Sequence, residues 1–141
     1  MKLIQTPCID QTKNWPTGCE SATAVMLLNA LGLPMTMQRW VDEFLECRDF
    51  SQQNGTLVGP DPRKCFAGRP DDAEGMGCWS GALAVFLNKA FAALGAPYRA
   101  EAADRADAET LAASLAAGIP VAYWATIDAR PAIPGPNWLL E

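Results

Sequence analysis

Histidine is absent from this 141-residue chain. Without an imidazole, the side chain best suited to move protons near neutral pH and the commonest neutral metal ligand are both missing. The five cysteines, Cys8, Cys19, Cys47, Cys65 and Cys78, include no C-x-x-C pair, so the closely spaced thiolates of a structural zinc site are missing as well. No metal or other cofactor is expected. Basic residues are few, 11 Lys and Arg against 16 Asp and Glu for a net charge of −5, and they form no cluster. That argues against a nucleic-acid partner. No apolar run is long enough to span a bilayer, and MKLIQTPCID reaches Pro7 and Cys8 before a signal-peptide core could form. Neither membrane insertion nor export is expected, and the expected location is the cytoplasm.

What is present is 50% hydrophobic and 19% charged, a globular balance. Residues 1–141 are expected to form a single domain, able to bury roughly two thirds of the surface that the unfolded chain exposes. Its centre is Gln11 to Pro34, QTKNWPTGCESATAVMLLNALGLP. Pro16, Thr17 and Gly18 punctuate the chain and deliver Cys19 to a helix start. Ala24, Leu27, Leu28 and Leu31 form one apolar row, with Ala22, Val25 and Met26 beside it, so this helix is apolar nearly all round and should be buried. Gly32 and Pro34 end it. The unpaired N–H groups at its start favour a thiolate and predict a Cys19 pKa below the ordinary value of about 8.5. The other four cysteines read as small buried hydrophobes, although a Cys65–Cys78 disulfide remains open in an oxidising setting.

Residues 1–10 read as an extended entry segment with a small apolar patch at Leu3 and Ile4. Thr36 is a candidate N-cap for a second helix, with Met37, Trp40, Val41, Phe44 and Leu45 on its inner face. From Cys47 to Cys78 the periodicity disappears, and the segment reads as one long ordered loop pinned by Val58, Phe66, Met76 and Trp79. Gly75-Met76-Gly77 lacks the spacing and context of a phosphate cradle. Ser80 is a candidate cap for a third helix, with Leu83, Phe86, Leu87, Ala90 and Leu94 in one stripe and Gly95 and Pro97 at its end. Tyr98 to Ala102 suggests a short strand. Asp107 starts a fourth, Ala-rich helix with Leu111 and Leu115 on one face and Gly118 and Pro120 closing it. Ile119 to Thr126, IPVAYWAT, reads as a strand interior to a sheet. Pro131, Pro134 and Pro136 make most of the following 15 residues unfit for a ladder, so further strands are expected from sequence after Glu141 or from a partner chain.

NWPTGCESATAVMLLNALG, with Gln11 eight residues before Cys19, resembles the bacterial double-glycine leader peptidases, family thirty-nine of the cysteine peptidases, and in particular their peptidase-like relatives. VGPDPRKCFAGRPDD…GMGCW and GIPVAYWAT continue the resemblance, which covers most of the chain. It implies an α+β, papain-like fold whose helical N-terminal half presents the nucleophile and whose antiparallel sheet, mostly missing from this chain, presents a histidine and an acid. Cys19 would be the nucleophile. Gln11 would be the glutamine whose amide, with the Cys19 N–H, holds the oxyanion during acyl transfer. The implied substrate is a peptide or protein, cleaved through a Cys19 thioester.

The family's histidine has no counterpart here, and a papain-like thiol needs such a base. Asp128 is no substitute, since a carboxylate beside a thiol raises the thiol's pKa. Three expectations follow: the N-terminal portion of a truncated peptidase that is inactive as it stands, an inert peptide- or protein-binding module of the same fold, and a structural thiol protein whose helix merely inherited its sequence. Glu20 and Ser21 read as ordinary first-turn residues, and Trp79 and Trp124 as core or cleft wall.

Overall fold

Three helices carry the core because each repeats apolar residues at helical spacing and each stops where its sequence allows. The structure, a computed structural model, describes residues 4–141; Leu3 of the N-terminal apolar patch lies outside the described residues. Helix α1, Cys19–Ala30, begins at the expected thiol and buries Ser21, Ala22, Ala24, Val25 and Leu28. Gly32 closes it at φ +76°, a conformation that disfavours any Cβ. The Gly32 N–H donates to the Asn29 carbonyl (3.0 Å) and the Leu33 N–H to the Leu28 carbonyl (3.0 Å), which is a Schellman turn.

Helix α2, Met37–Glu43, is capped by Thr36, whose hydroxyl accepts the Arg39 N–H at 3.2 Å. It buries Met37, Trp40 and Val41, and Phe44 and Leu45 follow into the core from its terminating turn. Helix α3, Ser80–Ala93, buries Leu83, Phe86, Leu87, Ala90 and Phe91. Its N-cap is Trp79, not Ser80, which is already helical and directs its hydroxyl to Asp104 at 3.4 Å. α1 lies against both α2 and α3, and one apolar cluster runs through all three. Full burial of a side chain such as Leu28 or Phe86 contributes about 1.5–3 kcal/mol.

Helix α4, Ala108–Ala116, has the expected cap, with the Asp107 carboxylate accepting the Thr110 N–H at 2.8 Å. Among the described residues none of α4 is buried, so the Leu111 and Leu115 face has no core to join.

The 47–78 segment is more regular than its punctuation suggests. β1, Cys47–Arg48, pairs in parallel with β4, Phe66–Ala67. β2, Ser51–Gln53, and β3, Thr56–Gly59, form an antiparallel hairpin around Asn54-Gly55, which take φ 52° and 79° as a type I′ turn requires. β5, Leu139–Leu140, returns to pair in parallel with β3, giving the order β2-β3-β5. Trp138 secures that return by donating its indole N–H to the Pro60 carbonyl (3.0 Å) and meeting Phe50 edge-on at 5.1 Å. Gly59 has no room for a side chain: a Cβ there would collide with the Phe50 ring. Val58 and Phe66 pin the segment as expected, whereas Met76 and Trp79 are exposed.

Two expected strands do not form ladders. At Tyr98 to Ala102, the Asn88 side chain takes a strand's place, donating to the Ala100 carbonyl (2.9 Å) and accepting its N–H (2.8 Å). Asn29 does the same for Met35 after α1. Ile119 to Thr126 forms no ladder with any described residue. Ile119 is 56% and Tyr123 73% exposed, so this apolar stretch is not interior to a sheet here. Apolar composition suits burial on both faces, but a strand also needs neighbours alongside it.

Candidate functional site

The turn before α1 is built to hold Cys19 in place. The Trp15 N–H donates to the Gln11 carbonyl (2.9 Å) and the Gly18 N–H to the Trp15 carbonyl (3.0 Å). The Thr17 hydroxyl reaches the Arg69 and Asp72 carbonyls at 3.0 and 2.8 Å, and the Thr17 N–H reaches Pro70 at 3.3 Å. The 69–77 loop therefore buttresses the residues that enter the helix. The glycines of Gly75-Met76-Gly77 serve this close approach. A Cβ on Gly75 would strike the Thr17 hydroxyl, and one on Gly77 would strike the Glu20 carboxylate.

Glu20 occupies the space that Gly77 leaves. One carboxylate oxygen accepts the Cys78 N–H at 3.2 Å, and the other accepts the Cys19 thiol proton at 3.2 Å. The Cys78 carbonyl in turn accepts the indole N–H of Trp124 at 3.1 Å. A cleft of about 160 Å³ lies beside these groups, lined by Cys19, Glu20, Thr23 and Leu83 on one side and by Ala122 to Ala125 on the other. The backbone groups of residues 121–125 make no hydrogen bond to any described residue.

The Cys19 thiol is not activated in this setting. Its pKa is pushed up to about 11. Loss of hydration is the largest cause, the Glu20 charge comes next, and the hydrogen bond donated to Glu20 adds to both. The N–H groups of Glu20 and Cys19 at the helix start do pull downward, as the sequence suggests, but they are outweighed. The expectation of a lowered pKa is thereby corrected. The physics used to set Asp128 aside operates here through Glu20 instead, while Asp128 faces Arg130 at 3.6 Å.

Gln11 is half-buried in the turn, and its amide donates to the Trp15 carbonyl at 3.3 Å. That carbonyl also holds Gly18, so Gln11 joins Cys19 through the turn's hydrogen bonds, although it does not line the cleft. Trp124 is cleft wall and Trp79 is surface. Of the remaining cysteines, Cys65 and Cys78 are buried and Cys47 half-buried, but Cys8 is exposed; all are free thiols. Burial pushes the Cys78 thiol upward. Glu20 was legible only as a helix-start acid, because the Cys78 N–H that seats its carboxylate lies 58 residues along the chain. Among the described residues no group of three Cys, Asp or Glu side chains is set to hold a metal ion, and no helix is long and apolar enough to cross a membrane.

The model of the Peptidase_C39 like family matches residues 3–135. The chain belongs to that family. A chain described as a C39-like peptidase from Bacillus anthracis shares its fold, at 24% identity and a TM-score of 0.51. The likeness covers 62% of this chain and 42% of that one, so this chain spans less than half the length of that structure. No curated protein matches the chain. Among the described residues, the α+β arrangement of four α-helices with small sheets is consistent with a C39-like fold.

Proposed function

We propose that this C39-like domain binds an extended peptide or protein segment in the cleft beside Cys19, and that Cys19 is the nucleophile in any peptide-bond cleavage there. The observation that carries the reading is the placement of a helix-start thiol on a cleft whose far wall, residues 122–125, offers backbone donors and acceptors that have no partner among the described residues. An extended peptide satisfies such groups by strand addition. In cleavage the thiolate attacks the scissile carbonyl and the C–N bond breaks, giving a thioester and an amine that leaves with the proton taken from the thiol; water then hydrolyses the thioester and restores Cys19. The Cys19 N–H would hold the oxyanion, and the Gln11 amide, which does not line the cleft in this structure, would join it by turning its second N–H toward Cys19. Sequence outside these 141 residues, or a partner chain, would add strands to 119–126 and supply the base that the chain lacks.

The raised thiol pKa and the Glu20 hydrogen bond favour a second reading for the 141 residues by themselves, binding without cleavage. In a serine protease, removing either the nucleophile or its base costs roughly a millionfold. A panel of unstructured peptides presented to the chain and to Cys19→Ala separates these outcomes. Cleavage by the parent alone identifies thiol chemistry, and equal binding by both without cleavage identifies a binding module. Cleavage that survives Cys19→Ala, or no binding by either, overturns the proposal.

A further inference from the structure

Three separate pieces of chain meet at Glu20. Its own helix contributes the carboxylate and, one residue earlier, the thiol. The 76–78 segment contributes the Cys78 N–H and the bare Cα of Gly77, without which the carboxylate would not fit. The 119–126 segment contributes Trp124, which is held by the carbonyl of the same residue, Cys78, whose N–H Glu20 holds. The result is one continuous path, thiol to carboxylate to Cys78 peptide to indole, that crosses from one wall of the cleft to the other.

We propose that Glu20 is a positioning residue that sets the Cys19 thiol and, through Cys78, the Trp124 wall of the cleft as a unit. The role rests on the reading of Cys19 as the reactive thiol, but it needs no cleavage to be observed. An ordinary first-turn acid would leave its carboxylate in water, stabilising the helix start through the dipole alone. Here both oxygens are engaged, one with each side of the junction. Because a peptide N–H and C=O belong to different ends of the same residue, a shift of the Cys78 N–H displaces the carbonyl that orients Trp124. A ligand that displaces the indole therefore acts on Glu20, and through it on the thiol.

The titratable groups around the thiol are Glu20 on α1, Cys78 on the loop, and Tyr123 on the far wall. Of these only Glu20 bonds to both the thiol and the Cys78 N–H, so replacing it tests the junction directly. Glu20→Gln keeps an oxygen for the Cys78 N–H while removing the charge. Glu20→Ala removes both. Glu20→Leu fills the same space but offers the Cys78 N–H no acceptor.

The experiment reads iodoacetamide alkylation of Cys19 across pH, resolved from the other cysteines by peptide mass spectrometry, and Trp124 emission taken as the difference from Trp124→Phe. With Glu20→Gln the alkylation midpoint falls by about one pH unit or more while Trp124 emission stays as in the parent. With Glu20→Ala and with Glu20→Leu the emission shifts. An unchanged midpoint in Glu20→Gln, or Trp124 emission in Glu20→Ala indistinguishable from the parent's, overturns the proposal. Should Glu20→Ala fail to fold, the Glu20→Gln midpoint and the Glu20→Leu emission decide in its place. Peptide-binding results do not enter, so this proposal and the functional one fail separately.

Discussion

Replacing Thr17 with valine removes one hydroxyl at constant shape, and the structure says where the loss falls. That hydroxyl donates to the Arg69 and Asp72 carbonyls, which also accept the N–H groups of Asp72 and Gly75, both at 3.2 Å. One proton joins two successive turns of the loop to the entrance of α1. A net hydrogen bond is worth about 0.5–1.5 kcal/mol, and because this one lies at the surface the two carbonyls regain water, leaving no further penalty. The expected loss is therefore about 1 kcal/mol. At roughly 2.1 cal/mol/K per residue, a chain of this length unfolds with an entropy of about 0.3 kcal/mol/K, so the melting temperature should fall by about 3 °C. Amide exchange at Asp72 and Gly75 should quicken about fivefold, since the loop opens more readily than the helices. Calorimetry gives the first number and exchange mass spectrometry the second. Thr17→Ser keeps the hydroxyl and should recover most of both. If serine proves as damaging as valine, or valine leaves loop exchange unchanged, the buttress is not what holds the turn.

Other residues give sharper local tests. Ser21 is fully buried and its hydroxyl has no hydrogen-bond partner among the described residues, so Ser21→Ala should be neutral or stabilising by up to about 1–2 kcal/mol in urea unfolding. Asp107 has its pKa lowered by the backbone and side-chain hydrogen bonds to Thr110. A folded-state pKa below the unfolded one gives a contribution that is complete above the ordinary carboxylate value of 3.8 and lost as pH falls through the lowered one. The N-terminal turn of α4 should therefore fray first on acidification, read from the Thr110 amide by NMR, and an acid-insensitive Thr110 amide would refute the cap. Thiol labelling of the folded protein at pH 8 should modify Cys8 well before Cys78, because Cys8 is exposed and Cys78 is buried with its pKa pushed up. Equal rates would contradict the burial.

The helices were legible because their signals are local. Thr36, Asp107, Gly32, Gly95 and Gly118 act within a turn or two of their own positions, and the apolar rows of α1, α2 and α3 face the core that their spacing implies. The hairpin was missed although Asn54-Gly55 marks it, because Ser51 to Gln53 is polar throughout and offers no alternation. At the site, Cys19 could be placed at a helix start from sequence, and Gln11 could be singled out only by resemblance. The state of the thiol could not be read in advance. It depends on which way Glu20 turns, and that is decided by a backbone N–H 58 residues away and by a glycine beside it. The 119–126 segment failed as a strand for a related reason: its composition is a property of eight residues, whereas a ladder is a property of their neighbours.

The contact between Gly59 and Phe50 carries an implication for how this sequence can drift. Gly59 lies outside the left-handed region, so alanine could adopt its backbone angles without strain, and only the Phe50 ring stands in the way. Positions 50 and 59 are thus tied by volume. A side chain gained at 59 is tolerated only where the residue at 50 has shrunk, and related sequences should show the two changes together more often than either alone. The ring also touches Trp138, so the same trade loosens the hold of the returning strand β5. A pair of positions nine residues apart therefore constrains what the chain can become some eighty residues later.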